Sequence, residues 1–210
     1  MTARRVVDDA AGRAAAVEVL RAGGIVALPT DTVYGIGVAL DAPLGITRLF
    51  EAKRRPADRS IALLVTDLAQ AETLGALGPI AHRLAGAFWP GGLTLIVPPL
   101  AGVRLPTELS GGAGTVGLRV PDHPTPRALA AAVGPLPTTS ANRSSEPEAR
   151  DADEIEAALG DAVDLILDAG PARGGPASTV VDCTAPRPRV LRVGAIPVSA
   201  IEALLEPPDV

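Results

Sequence analysis

ALPTDTVYGIGVAL, residues 27–40, sets the polar side chains Thr30, Asp31, Thr32 and Tyr34 between two apolar runs. The run before them, GIVAL (24–28), reads as a short strand buried on both faces, because it is apolar throughout rather than alternating. A plain chain reversal is built more simply from Asn-Gly or Pro-Gly. Hydroxyls and a carboxylate at a strand's end point instead to a ligand, since α/β sheets gather ligands beyond the carboxyl ends of their strands.

The pattern repeats outward. SIALLV (60–65), LTLIV (93–97), TVGLRV (115–120), LPTTS (136–140), VDLILDA (163–169), STVVDC (178–183) and RVLRV (189–193) read as further strands. Between them a helix over 11–22, capped by Asp8 or Asp9, stops at Gly23-Gly24. Asp41-Ala42-Pro43 starts a second helix that runs to Ala52, and others fit 67–77, 79–89, 124–133, 151–159 and 198–205. Apolar strands interleaved with amphipathic helices make an α/β protein with a largely covered sheet. No repeat and no linker divides the chain. The expectation is one domain over 1–210, with its core at about 12–205.

With 210 residues and 47% hydrophobic content, the chain can bury a core without covalent staples. No stretch approaches the roughly 18 consecutive apolar residues of a membrane span. The opening MTARRVVDDAAGR turns acidic before any apolar segment of a signal peptide appears, so a cytoplasmic protein is expected. A single cysteine, Cys183, excludes an internal disulfide and a cysteine-cluster metal site, and reads as a small core residue. The net charge of −5 and the four aromatics Tyr34, Phe50, Phe88 and Trp89 argue against stable RNA binding on a stacking platform.

Polar residues collect at other strand ends too: Thr138, Thr139, Ser140 and Asn142 after LPTTSAN, and Arg119 in TVGLRVP. Each cluster can bind a polar ligand or build an Asx or Ser/Thr turn. Lys53-Arg54-Arg55-Pro56-Ala57-Asp58-Arg59 puts four cations into seven residues of an acidic protein. Such a run is either a solvated helix end, favoured by the macrodipole, or a mobile anion clamp. There is no P-loop, and Gly35 and Gly37 in YGIG make only half of a dinucleotide fingerprint. His82 and His123 lack a metal-ligand partner at useful spacing and read as structural or surface residues. Asn142-Arg143-Ser144 matches a glycosylation sequon, in a chain with no secretory route.

PTDTVYGIG, KRRP before a buried strand, FWPGGLTLIV, VGLRVPDHP, TTSAN, and PASTVVDCT followed by LRVGAI stand in this order along the chain. Together they resemble the YrdC-type L-threonylcarbamoyl-AMP synthases over about residues 12–205. The resemblance implies a single-domain α/β fold, a twisted open mixed sheet flanked by helices with a concave basic cavity. It also implies a nucleotidyltransferase that converts L-threonine, bicarbonate (or CO₂) and ATP into threonylcarbamoyl-AMP and pyrophosphate. That product would pass to the transferase machinery that makes threonylcarbamoyladenosine in transfer RNA. No protein nucleophile is implied; rate comes from positioning and charge stabilisation.

By the same resemblance, Lys53 and Arg55 face the ATP phosphates and stabilise charge, and Ser140, Asn142 and Arg192 complete the nucleotide site. Thr30, Arg119 and Ser178 contact threonine, with Arg119 suited to its carboxylate. Thr32, Tyr34, Thr138 and Thr179 lie in the same motifs without a fixed role. Mg²⁺ is expected with the ATP, held by phosphate oxygens and water, its protein ligands unknown. Asp31 reads as a turn former or an outer hydrogen-bond acceptor, since this chemistry demands no general base there.

Two features depart from the family pattern. Many members carry a histidine in the strand after K-x-R-P, where this chain reads Ile61-Ala62-Leu63-Leu64-Val65. The sequence also resembles the short form, without the further domain of longer members. Two alternatives stay open: a paralogue with another carbamoyl-type substrate, and an RNA-binding protein of the same fold.

Overall fold

The apolar strands find one another in a single sheet. The computed structural model describes residues 3–42, 44–54, 59–144, 146–172 and 174–205. In chain order the strands are β1 (Arg4–Val7), β2 (Val26–Leu28), β3 (Gly35–Gly37), β4 (Ala62–Leu64), β5 (Leu93–Val97), β6 (Val116–Arg119), β7 (Leu136–Ser140), β8 (Leu165–Asp168), β9 (Thr179–Asp182) and β10 (Arg189–Arg192). Their order across the sheet is β1-β8-β2-β3-β7-β4-β6-β5-β9-β10. Parallel and antiparallel neighbours alternate irregularly, so the sheet is mixed, as expected.

The helices are α1 (Ala10–Arg21), α2 (Gly45–Lys53), α3 (Leu68–Glu72), α4 (Pro79–Phe88), α5 (Pro124–Val133), α6 (Ala152–Leu159) and α7 (Val198–Leu205). Strand alternation sorts side chains onto two buried faces. Val26, Leu28, Leu64, Leu136, Leu165 and Leu167 pack with Leu20 of α1 and Leu129 of α5. Ala27, Leu63, Leu93, Leu95, Leu118 and Ile166 point the other way, toward Leu49 of α2, Leu84 of α4, Ile155 of α6 and Ile201 of α7. Burial on both faces explains why these strands read as continuous apolar runs.

Two strands join those read from the sequence, and two helices have other bounds than expected. The stretch around Gly35 is a strand, β3. It pairs antiparallel with β2 and β7, and a Cβ at Gly35 would lie 2.8 Å from Thr138 Cγ2. Its glycines are there for close strand packing, which no phosphate loop requires. The leading Arg4–Val7 forms edge strand β1 beside β8, anchored by Arg5 on Asp168 and Asp153. The helix expected over 67–77 stops at Glu72, because Gly75 bridges to Pro99 with its Cα too close to Val97 for a side chain. The second helix begins at Gly45 after Leu44 in the left-handed region, not at Asp41, and Pro43 lies outside the described residues.

Candidate active site

Among the described residues, the sheet face that α1 and α5 cover in part has no helix over it toward β10. There it floors a cleft of about 660 Å³. Strand register orders the floor into two rows. Thr138, Ala62, Gly117, Ile96 and Asp182 are successive partners across β7, β4, β6, β5 and β9. Two residues along each strand, Leu64 pairs with Arg119, and Thr94 pairs with Val180, which pairs with Arg192. One step on from the Leu95–Leu118 pair, Thr94 stands beside Arg119. One row is thus small and apolar at its centre, while the other carries Arg119, Thr94 and Arg192.

Arg119 is held from three sides. Its Nη2 donates to Asp31 Oδ1 at 2.7 Å, its Nη1 to Thr32 Oγ1 at 3.1 Å, and its Nε to the Gly91 carbonyl at 3.1 Å. Both charged side chains are nearly buried, 8% and 10% exposed. Asp31 is therefore the hydrogen-bond acceptor behind the site that the sequence allowed for. Three of the guanidinium's five N–H groups are committed, and two remain for the cleft.

The hydroxyls of the opening motif form a directed chain. Thr32 Oγ1 accepts from Arg119, so its own proton goes to Thr30 Oγ1 at 3.1 Å, and Thr30 donates to the Val33 carbonyl at 2.6 Å. Thr30 Oγ1 also accepts from the Thr32 N–H. Thr30 lines the cleft, and its proton and lone pairs are engaged in the turn. Tyr34 is fully buried, donating to the Gly170 carbonyl at 2.7 Å and accepting from the Ala169 N–H. Burial raises its phenol pKa, only partly offset by the Ala169 bond. It ties the motif to the loop after β8. Thr138 lines the floor and donates to the Leu136 carbonyl.

At the far edge, Arg192 clamps Ser178. Its Nε and Nη2 reach the Ser178 carbonyl at 3.1 and 2.9 Å, and Nη2 also donates to Ser178 Oγ at 3.1 Å. The Arg192 pKa is lowered, first by partial desolvation of its guanidinium at the cleft wall; Glu148 opposes that shift and Arg119 adds to it. These three charges therefore share one field. Register slips between Val190 and Arg192, a bulge that turns both Leu191 and Arg192 to the cleft. Thr179 is not in the cleft: wholly buried, it donates to the Ile196 carbonyl and accepts from the Gly194 and Ile196 N–H groups. A Cβ at Gly194 would lie 2.0 Å from the Ala177 carbonyl oxygen, so LRVGAI is a seam that presses one loop onto the backbone before β9.

Lys53 lies behind the cleft wall. Rather than lining the cleft, it is 2% exposed, with Nζ on the Ser140 carbonyl at 2.7 Å and on Asn142 Oδ1 at 2.6 Å. Ser140, which does line the cleft, donates to Asn142 Oδ1. Lys53 thus stands behind Ser140 and fixes the end of β7. Asn142 is buried as well, its amide donating to the Glu146 carbonyl, so the sequon is closed to modification. Arg55 lies outside the described residues. Of the remaining cations in that segment, Arg59 lines the cleft.

Arg59, Arg119 and Arg192 face Glu148 and Asp182 around the cleft, with Asp31 paired to Arg119 behind it. Sequence reasoning missed Thr94, Glu148, Asp182 and Leu191. Strand alternation, carried across the correct register, signals Thr94 and Asp182, whereas the bulge in β10 turns Leu191 in and Glu148 lies in the connection after β7. His123 caps α5 and His82 stands 3.5 Å from Glu72, both outside the cleft. Cys183 is half-buried against the core, and burial pushes its thiol up to about 11. Among the described residues, no three His, Cys, Asp or Glu side chains cluster as metal ligands, and no helix is long and apolar enough to cross a membrane.

Comparison with known proteins matches this architecture. The family model Sua5/YciO/YrdC, described as "Telomere recombination", matches residues 18–194. A Mycobacterium leprae relative is 41% identical over 197 residues, 93% of this chain and 89% of that protein. The threonylcarbamoyl-AMP synthase of Bacillus subtilis is 37% identical over 196 residues, 92% of this chain and 56% of that protein. The crystal structure of Pyrococcus abyssi Sua5 complexed with L-threonine superposes with a TM-score of 0.88 at 34% identity, covering 97% of this chain and 60% of that one. The chain therefore spans little more than half the length of the latter two proteins. It belongs to the Sua5/YciO/YrdC family.

Proposed function

We infer that this protein is a threonylcarbamoyl-AMP synthase, a nucleotidyltransferase that forms threonylcarbamoyl-AMP and pyrophosphate from L-threonine, bicarbonate and ATP. The observation that carries the reading is the polar row of the cleft floor, with Arg119 at one end and Arg192 at the other. Two anion anchors in one cleft suit a ligand with a carboxylate at one end and phosphate at the other. The B. subtilis relative bears this activity as its name, and the P. abyssi relative holds L-threonine.

Arg119 takes the threonine carboxylate with its two uncommitted N–H groups, its plane set by Asp31, Thr32 and Gly91. Arg192 and Ser140 face the nucleotide, with Lys53 and Asn142 holding Ser140 in place. Arg55 and Arg59 add positive charge at the phosphates. Mg²⁺ would arrive with the ATP, held by phosphate oxygens and water; of the cleft's two carboxylates, Glu148 and Asp182, the latter is engaged by Thr184. Fixed donors around the reacting groups replace a protein nucleophile. The reading includes a cytoplasmic location and transfer of the product to a tRNA-modifying partner.

The test is pyrophosphate release from Mg²⁺-ATP, with the adenylate identified by mass. Release that requires both threonine and bicarbonate is expected. Release with other amines, or tight RNA binding without ATP turnover, would overturn the reading in favour of the paralogue or the RNA binder.

A further inference from the structure

Thr94 and Ser178 share a hydrogen bond of 2.8 Å in which either hydroxyl can donate. Ser178 Oγ also accepts from Arg192. The two hydroxyls own two protons, and the bond between them uses one. Among the described residues neither hydroxyl donates elsewhere, so one proton stays uncommitted whichever way the bond runs. Yet the two residues are only 4% and 5% exposed, and both line the cleft. A hydroxyl proton at the cleft wall that the protein does not use is available to an acceptor on the ligand.

The row across the sheet says which part of the ligand that is. Neighbouring strands lie about 4.8 Å apart, so Thr94 is one strand from Arg119 and two from Arg192. In threonylcarbamoyl-AMP the group between the carboxylate end and the phosphate is the carbamoyl group. We propose that Thr94, paired with Ser178, donates the uncommitted proton as a hydrogen bond to an oxygen of the bicarbonate-derived carbamate. This inference rests on the reaction proposed above. The threonine ammonium and bicarbonate give a carbamate, releasing one water and one proton to solvent. A carbamate oxygen then bonds to the α-phosphorus as the bond from that phosphorus to its bridging oxygen breaks, and pyrophosphate leaves with the electron pair. The hydroxyl pair steadies the carbamate until that attack, and Arg192 keeps Ser178 in register for it.

The proton count makes an unusual prediction. Thr94→Val leaves Ser178 with a free proton, and Ser178→Ala leaves Thr94 with one, so each single variant retains a donor. Each is expected to raise the bicarbonate KM about fivefold, whereas the double variant loses more than about 100-fold in kcat/KM for bicarbonate, more than the two effects multiplied. Thr94→Val should leave the threonine and ATP KM values unmoved, and Thr94→Ser should restore the bicarbonate KM. An unchanged bicarbonate KM in Thr94→Val, or a threonine KM that moves instead, overturns the proposal. Should the double variant unfold, the contrast of Thr94→Val with Thr94→Ser decides alone. Wild-type protein without threonine-dependent pyrophosphate release would instead remove the underlying reaction, a separate outcome.

Discussion

Arg119 and Asp31 face each other at 2.7 Å, 88 residues apart in the chain, at the edge of the cleft. The pair joins the turn after β2 to the end of β6. Because both side chains are nearly buried, removing one charge strands the other. Arg119→Ala is expected to destabilise the fold by about 3–5 kcal/mol, and Arg119→Ala/Asp31→Ala by less than that single change. Urea denaturation of the variants checks this order. Arg119→Lys, which loses the planar fork, should raise the threonine KM about tenfold.

Lys53 and Ser140 should separate stability from activity. Lys53→Met keeps the buried stem but removes the donor to the Ser140 carbonyl and Asn142, a loss of about 1.5–3 kcal/mol in urea midpoint analysis. Ser140→Ala removes only a hydroxyl at the cleft wall and should cost about 1 kcal/mol. Both should reduce pyrophosphate release. If Lys53→Met melts like the wild type, its role in fixing the end of β7 is wrong.

The glycines of β3 offer a direct test of packing. Gly35→Ala puts a methyl 2.8 Å from Thr138 Cγ2 and is expected to cost about 1–3 kcal/mol. Thr138→Ser deletes the colliding methyl, so Gly35→Ala/Thr138→Ser should recover part of the lost thermal stability. No recovery in a melting experiment would place the clash elsewhere.

Acid should weaken the β8 end of the sheet. The Asp168 carboxyl is held below its ordinary pKa, chiefly by the Gly170 N–H and also by Arg5, against the opposing effect of burial. A depressed folded pKa means that its stabilisation is complete above the unfolded value, about 3.9, and disappears as pH falls through the folded one. Asp168→Asn should therefore be less stable than wild type near neutral pH, and the two urea midpoints should converge in acid. A constant difference at all pH values would dismiss the ionic contribution.

Cys183 supplies a check at the alkaline end. With its thiol pushed up to about 11 by burial, it should react slowly with thiol reagents at mildly alkaline pH and rapidly once urea unfolds the chain. Fast labelling of folded protein would contradict the packing around β9.

Much of the architecture was legible because its signals are local. The apolar run GIVAL announces a strand buried on both faces, and Pro124 at the start of the helix opens α5. β3 and β1 were not legible. Gly-Ile-Gly has no pattern of its own, and Arg-Arg-Val-Val gains its place from pairing with β8. The difference is one of range, since a strand without periodicity is defined only by its neighbours.

The site divides in the same way. By itself the sequence placed Thr30, Arg119 and Ser140 at strand ends through local turn chemistry, and its ordered motifs added Ser178 and Arg192 through the family resemblance. Which of their atoms remain available was decided only by the tertiary structure. Thr30 and Thr179 have every hydroxyl function engaged, Lys53 lies behind Ser140, and Asp31 belongs to Arg119. Thr94 joined the site through register alone. A hydrogen bond has a direction and a limited number of partners, and that count is settled across the sheet between residues far apart in the chain.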